Sequence, residues 1–171
     1  RVGNNAGNGT LIISDNGQVS AGNGTGTATL ALSSGSTGLL AIGARPSSAA
    51  AVPGTLSAST LDFAAGSGTL VFNHTGTAYT FAPAITGGSG TAADINHLAG
   101  TTMLTGASSS YSGATTVSGG TLLVNSALGS ASSTLTVASG GTLGGTGTVG
   151  GAVSVQSGGT LSPGASPGTL T

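Results

Sequence analysis

Few side chains in this sequence have chemistry beyond hydrogen bonding. The carboxylates are Asp15, Asp62 and Asp94, the imidazoles are His74 and His97, and Lys, Glu and Cys do not occur. Hydrolysis of a glycosidic bond needs two carboxylates about 5–10 Å apart. The spacing of Asp62 and Asp94 would place them on nearby turns of a repeating fold. Because each Asp is isolated in the sequence, we predict surface or turn roles for them and no catalytic residue.

The two histidines are the other candidates for chemistry. The separation of His74 and His97 is close to one turn of a repeating fold, and Asp94 lies near His97. Stacked on adjacent turns, these side chains would resemble a metal site. Two imidazoles and one carboxylate are a sparse ligand set, so we expect exposed or hydrogen-bonded histidines, with no metal and no cofactor.

The composition excludes several partners. Gly accounts for 34 of 171 residues, charged residues for only 3%, and the formal net charge is −1. Binding to nucleic acid or to an anionic membrane surface relies on basic side chains, so we predict no nucleic-acid partner. Hydrophobic residues make up 37% of the chain, which argues against disorder. No apolar stretch is long enough for a transmembrane helix.

Other motifs carry little specificity. The glycine-rich run at 145–151 lacks the lysine of a phosphate-binding loop. Asn8, Asn23 and Asn73 begin Asn-x-Thr triplets, which are possible glycosylation acceptors but arise easily in a Thr-rich chain. Several Thr-x-Thr pairs would order water on a flat face only if they recurred at a constant period, and they do not.

The clearest pattern is a repeat that ends in Ser-Gly-Gly-Thr-Leu. It occurs at Val117–Leu122, Val137–Leu143 and Val155–Leu161. Short apolar–polar alternation favours strands, and glycine pairs suit the corners between them. The helix formers Glu, Lys, Gln and Arg are nearly absent. The sequence therefore predicts an all-β parallel β-helix, or β-solenoid, with about 18–21 residues per coil.

The repeat is more regular in the second half of the chain. We predict one continuous solenoid segment in which residues 1–97 form less regular coils, with a loop near 44–54, and residues 98–171 form regular repeats. Pro46 and Pro53 flank the only alanine run, which lies in that loop.

Residues Met103–Thr171 resemble the autotransporter-associated β-strand repeat. The matching residues are Leu104, Thr105, Gly106, Tyr111, Gly113, Thr116, Val117, Gly120, Thr121, Leu122 and Val124. The resemblance implies a right-handed parallel β-helix in the passenger region of a bacterial autotransporter, at the cell surface or secreted. It also implies that the full-length protein has its own C-terminal outer-membrane barrel.

Twelve residues are expected to define the coils structurally. They are Tyr111, Gly113, Val117, Gly120, Thr121, Leu122, Val137, Gly141, Leu143, Val155, Gly159 and Leu161. The favoured function is a structural and adhesive stalk, not an enzyme, that contacts a host-cell or matrix surface or other copies of itself. The alternatives are a self-assembling extracellular fibre subunit and a polysaccharide-acting β-helix enzyme built on Asp62 and Asp94.

Overall fold

The protein, described by a computed structural model over residues 1–88 and 92–164, is built from short β-strands. Within these ranges the other regular element is one 3-10 turn, Gly22–Gly24. No helix in the described ranges is long and apolar enough to cross a membrane. The strands are β1 (Asn8–Ile13), β2 (Gln18–Ser20), β3 (Thr27–Leu30), β4 (Thr37–Gly43), β5 (Thr55–Ser57), β6 (Thr60–Phe63), β7 (Ser67–Asn73), β8 (Tyr79–Phe81), β9 (Ala84–Gly87), β10 (Ala93–Ala99), β11 (Thr101–Leu104), β12 (Ala114–Val117), β13 (Gly120–Val124), β14 (Ala127–Leu128), β15 (Thr134–Val137), β16 (Gly141–Gly145), β17 (Thr148–Val149), β18 (Ala152–Val155) and β19 (Thr160–Pro163).

The strands stack into parallel sheets along the rod. The longest sheet has the order β1-β4-β7-β10-β12-β15-β18, and a second has the order β8-β11-β13-β16-β19. A third sheet contains β3-β6-β9, and β2-β5 and β14-β17 form two short pairs. Every pair of named strands is parallel, and each joins one coil to the next. This arrangement confirms the predicted parallel β-helix.

Coil length changes along the chain. From β10 to β18, register partners in the long sheet are about 18–20 residues apart, in agreement with the predicted repeat. The earlier coils are longer, because register partners are about 29–30 residues apart from β1 to β7 and about 25 residues apart between β7 and β10. The added residues lie in excursions between strands, which the repeat spacing did not predict. The long sheet of the described chain has seven strands, each of which forms one rung of the ladder.

One of these excursions, residues 44–54, is held by a buried asparagine. The Asn73 side-chain amide donates hydrogen bonds to the carbonyls of Arg45 (2.8 Å) and Ser48 (2.9 Å). The main chain of Thr75 also donates to the carbonyl of Ala51. These bonds satisfy polar groups of a segment that belongs to no named strand and pairs through isolated bridges at Ala51 and Pro53. The loop is thus tied to the end of β7.

The core consists of side-chain columns parallel to the rod axis. In a strand alternate side chains point to the same face of the sheet. Register partners on successive strands therefore stack into columns. One column of the long sheet runs Ile13, Ile42, Phe72, His97, Val117, Val137 and Val155. The facing column of the five-stranded sheet runs Tyr79, Thr102, Leu122, Leu143 and Leu161. Both columns are aliphatic or aromatic except at His97 and Thr102.

Candidate functional site

The predicted repeat residues occupy equivalent places on successive coils. Val117 pairs with Val137, and Leu122 pairs with Leu143, and all four side chains are buried. Thr121 lies next to Leu122 on the opposite face of β13 and is partly exposed. The Ser-Gly-Gly-Thr-Leu repeat therefore delivers one Val and one Leu to the core on each coil.

The last described rung departs from this pattern. Val155 is 45% exposed and Leu161 is 47% exposed, although they continue the Val and Leu columns, and Gly159 is partly exposed. Val153, on the same strand as Val155, is 42% exposed. Val155 and Leu161 continue the core of the rod, and no described coil covers them. The end of the predicted repeat region, residues 165–171, lies outside the described residues.

Tyr111 fastens two coils together from inside the core. Its ring is fully buried against Phe63, and its hydroxyl lies 2.7 Å from the carbonyl of Ala114 and 3.0 Å from that of Ala93, to either of which it donates. Burial raises the pKa of this phenol well above its usual range. Gly113 allows its backbone to lie close to that of Ala93 on the preceding coil, because a Cβ at position 113 would be 2.0 Å from the Ala93 carbonyl oxygen.

The glycines of the repeat lie where coils come close. Gly120 begins β13 with φ +67°, and a Cβ there would be 2.3 Å from the carbonyl oxygen of Gly100 on the preceding coil. Gly141, its register partner, begins β16 and is buried. Position 120 therefore needs glycine both to adopt its positive φ and to leave room for the Gly100 carbonyl oxygen.

A buried chain of hydrogen bonds links the two histidines. His74 Nε2 lies 2.8 Å from Thr102 Oγ1, and His97 Nε2 lies 3.1 Å from the same oxygen. At the outer ends, the Gly76 N–H donates to His74 Nδ1 (3.2 Å), and His97 Nδ1 lies 2.8 Å from the Gly119 carbonyl oxygen. All three side chains are completely buried. We name this arrangement the His–Thr–His chain: His74, Thr102 and His97.

The partners at the two ends fix the direction of every proton in the chain. His74 Nδ1 accepts a hydrogen bond, so its proton is on Nε2 and is donated to Thr102. A carbonyl accepts at His97 Nδ1, so that nitrogen carries the proton and Nε2 accepts from the Thr102 hydroxyl. Both imidazoles are therefore neutral. Burial lowers the pKa of His74, and it lowers the pKa of His97 to about 4.

The spacing of His74 and His97 predicts that they lie on adjacent coils, but it does not point to Thr102. A signal was present, because counting back one coil length from Val117 and Leu122 reaches His97 and Thr102, at core-facing positions. Asp94 is absent from the chain of hydrogen bonds: it lies on β10 at the partly exposed face that alternates with His97. In the described ranges no group of three or more His, Cys, Asp or Glu side chains is close enough to hold a metal.

The structure does not bring Asp62 and Asp94 to one sheet. Asp62 is on β6 in the three-stranded sheet, where it accepts a hydrogen bond from Thr86 on the next coil (2.8 Å). Asp94 is on β10 of the seven-stranded sheet. Asp15 is exposed in the turn after β1. The three carboxylates therefore occupy the surface and turn positions expected of isolated acids.

Comparison with known proteins matches a stretch that contains Thr102 and Tyr111. A family model described as passenger-associated-transport-repeat matches residues 99–124. The chain carries an autotransporter passenger repeat. It is also 41% identical over 112 residues to an adhesin autotransporter, BmaC, of Brucella suis biovar 1 (strain 1330). That alignment spans 66% of this chain and 3% of the relative. No solved structure matches the chain.

The repeat matched at residues 99–124 indicates a location at the cell surface or secretion. The outer face of the rod is polar but almost uncharged. On the five-stranded sheet Thr101, Thr121, Thr142 and Thr160 align in register, one on each of the strands β11, β13, β16 and β19. Rungs of a parallel sheet are about 4.8 Å apart. The result is a row of hydroxyls at the spacing of the ladder, which the irregular Thr-x-Thr pairs did not predict.

Two of the three Asn-x-Thr triplets in the passenger segment begin at the surface. Asn8 and Asn23 are exposed, and Asn8 Oδ1 accepts a hydrogen bond from Thr37 (2.7 Å). Asn73 is 4% exposed and uses its amide to hold the loop at 44–54. Its amide nitrogen is therefore already hydrogen-bonded within the folded coil.

The first rung also leaves core side chains uncovered. A cavity of about 270 Å³ opens among β1, β2 and β3. Its apolar lining includes Val2, Leu11, Val19, Ala28 and Leu30. The two ends of the described rod therefore both present apolar groups, which form a cavity at β1 to β3 and exposed side chains at β18 and β19.

Proposed function

We propose that this passenger segment is a stiff, non-enzymatic section of a bacterial surface adhesin, and that it contacts a host-cell or matrix surface. The observation that carries the proposal is the unbroken seven-stranded parallel ladder, which joins every coil of the described rod. The name of the Brucella relative, an adhesin, supports an adhesive role. The full-length protein would display this section from its own C-terminal outer-membrane barrel.

In this proposal the side faces of the rod make the contact. The hydroxyls of Thr101, Thr121 and Thr142 provide donors and acceptors at a regular spacing, and the net charge of the chain is only −1. Binding through such a face depends on hydrogen bonds and contact area. Screening by salt weakens only charged contacts, so adhesion through these faces is expected to resist salt.

The test is binding of the purified segment to cell monolayers and to matrix-coated surfaces, from about 0.05 to about 0.5 M NaCl. We expect saturable binding that changes little with salt. Thr121→Lys alters the face of the five-stranded sheet, and Thr134→Lys alters that of the seven-stranded sheet, so loss with one variant identifies the contact face. Absence of binding, or retention by both variants, would contradict contact through these faces.

A second candidate function is self-association of the rods through their ends. The exposed Val155 and Leu161 continue the core columns, and the cavity among β1 to β3 is lined by core aliphatics. Strands at both ends have a free edge, and free edges template pairing with another chain. A second copy seated end to end would extend both the ladder and the core.

Negative-stain electron microscopy and sedimentation across a concentration series test this candidate. End-to-end association predicts filaments that lengthen with concentration, and Leu161→Lys should return them to single short rods. Thr121→Lys is the matched control, because it adds the same charge on a side face and should leave filaments intact. Single rods of the unaltered segment at every concentration would exclude self-association.

We further propose that the twelve predicted repeat residues build the coils and do not themselves contact a partner, with the exception of Thr121 and of Val155 and Leu161 at the end of the rod. The burial of Tyr111, Val117 and Leu122 supports a structural role. Residues 1–97 and 98–171 would then be two stretches of one solenoid that differ in regularity. The change of coil length near β10 supports this division.

A further inference from the structure

The two core columns that end at Val155 and Leu161 are polar at one place, and that place coincides with an irregularity in the ladder. The His–Thr–His chain interrupts both columns at β10 and β11. In the same region the pairing of β10 with β7 shifts by one residue between His97 and Ala99. Here the longer coils that precede β10 also give way to the shorter coils that follow it. Farther along the same two columns, the pairs Val117 with Val137 and Leu122 with Leu143 contain no such break.

We propose that the His–Thr–His chain is an acid-sensitive joint, at which the coil spanning β10 and β11 opens when the pH falls while the aliphatic coils after it stay closed. Solenoid coils contact only their neighbours, so stability is local and one coil can open before the others.

The hydrogen bonds explain why protons open this joint. A proton on His74 Nδ1 would face the Gly76 N–H, which already points at that nitrogen. A proton on His97 Nε2 would turn Thr102 into an acceptor from both rings and leave its own hydroxyl hydrogen without an acceptor. Either event places a charge in a buried apolar setting, which is strongly unfavourable.

Among the described residues, no neighbouring group compensates such a charge. The titratable side chain packed against the pair is Tyr79, whose ring centroid is 5.0 Å from that of His74 and whose pKa is raised by burial to about 12, so it stays neutral. Asp94 shares β10 with His97 but lies on the alternate, partly exposed face. Strands β12 and β13 carry no titratable side chain. Arg45 is exposed in the loop at 44–54.

The direction of the pH dependence follows from the lowered pKa values. An opened coil binds protons with the ordinary histidine pKa of about 6.5, and the closed coil binds them only near pH 4 at His97. Stability from the neutral pair is therefore complete above about pH 6.5 and is lost as the pH falls toward 4. For His97 alone, the opening equilibrium constant should rise about 30-fold between about pH 7.5 and about pH 5.

The composition leaves few other groups that titrate in this range. The chain has two histidines, three Asp residues, no Glu and no Cys. Hydrogen exchange measured by mass spectrometry at about pH 7.5 and about pH 5, normalised to the unfolded peptides, reports each coil separately. We expect protection to fall at residues 93–104 and to persist at 134–145.

Three variants decide the assignment. The triple variant His74→Leu, His97→Leu and Thr102→Val should lose the pH response. Thr102→Ser keeps the hydroxyl and should keep the response, which guards against failure of the triple variant to fold. Val137→Ala is the matched control, because it weakens a neighbouring coil without removing a titrating group.

Three results would contradict the proposal of an acid-sensitive joint. The first is equal protection of residues 93–104 at both pH values. The second is a pH response that survives in the triple variant. The third is a uniform loss along the whole rod, which would show that the histidines lower global stability without opening one coil. None of these results depends on whether the segment binds a surface.

Discussion

At the scale of single residues, several buried polar side chains of this protein meet hydrogen-bond partners on adjacent coils. Within residues 1–88 and 92–164 no buried side-chain nitrogen or oxygen lacks a hydrogen-bond partner. Ser108 illustrates the pattern, since its buried hydroxyl accepts from the main chain of Ile85 on the preceding coil. Because a buried polar group without a partner costs about 1–3 kcal/mol, each side chain bonded in this way ties one coil to another.

Tyr111→Phe is predicted to remove one such tie without changing the packing of the ring. The carbonyls of Ala93 and Ala114 would lose their shared donor, so we expect a loss of about 1–3 kcal/mol in the free energy of unfolding. Urea denaturation followed by far-ultraviolet circular dichroism measures it. Tyr111→Leu, which also removes the contact with Phe63, should cost more. Equal stability of Tyr111→Phe and the unaltered segment would refute the role of the hydroxyl.

Gly120→Ala tests the close approach of two coils. Gly140 provides a matched control because it also has positive φ, +85°, but its Cβ would be 3.5 Å from the nearest atom, the Ser118 carbonyl oxygen. Gly140→Ala should cost about 1–2 kcal/mol for the backbone angle alone. Gly120→Ala meets the Gly100 carbonyl oxygen as well and should cost clearly more. Similar midpoints of thermal unfolding for the two variants would show that the coils can move apart.

At the scale of the strand, the same repeat position has different energetic weight on different rungs. Val137 is fully buried, whereas its register partner Val155 is 45% exposed. We predict that Val137→Ala lowers the free energy of unfolding by about 1.5–3 kcal/mol, and that Val155→Ala changes it by less than about 0.5 kcal/mol. Chemical denaturation of the two variants in parallel is the measurement. Equal losses would mean that the last rung is covered in solution.

Strand prediction from the sequence succeeded where one repeat occupies one coil. Ser-Gly-Gly-Thr-Leu places a glycine corner, a stiff β-branched residue and a core leucine in fixed order, so the rungs from β12 to β19 were expected in kind and spacing. Before β10, excursions such as 44–54 add residues that have no periodic pattern. Their length depends on long-range bonds, such as those of Asn73, which the local sequence does not reveal.

The candidate sites were predictable only in part, for a similar reason. Spacing near one coil suggested that His74 and His97 would meet, but the register that brings Thr102 between them depends on a shift in strand pairing. The isolation of Asp62 from Asp94 in the sequence matches their separation onto two sheets. Sequence spacing therefore predicts which coil a residue occupies more readily than which side chain it faces.

At the scale of the whole molecule, stability should vary along the rod. The strands β7, β10 and β12 have a neighbour on each side, whereas among the described residues β1 and β18 each have a free edge. We predict that at about pH 7.5 amide hydrogens of β1 and β18 exchange fastest and those of β7 to β12 slowest, because opening at an edge disrupts one ladder and not two. Hydrogen exchange of the isolated segment measures the order. Uniform protection would indicate all-or-none unfolding.

The parallel ladder also determines how this rod would respond to a pulling force. Hydrogen bonds between rungs point along the rod axis, so tension between the chain ends peels one coil at a time from an exposed edge. Each peeled coil of the second half would release about 60–70 Å of extended chain, and each of the longest coils of the first half about 100 Å. A surface rod with this construction would lengthen in discrete steps under load, and so absorb work before its attachment breaks.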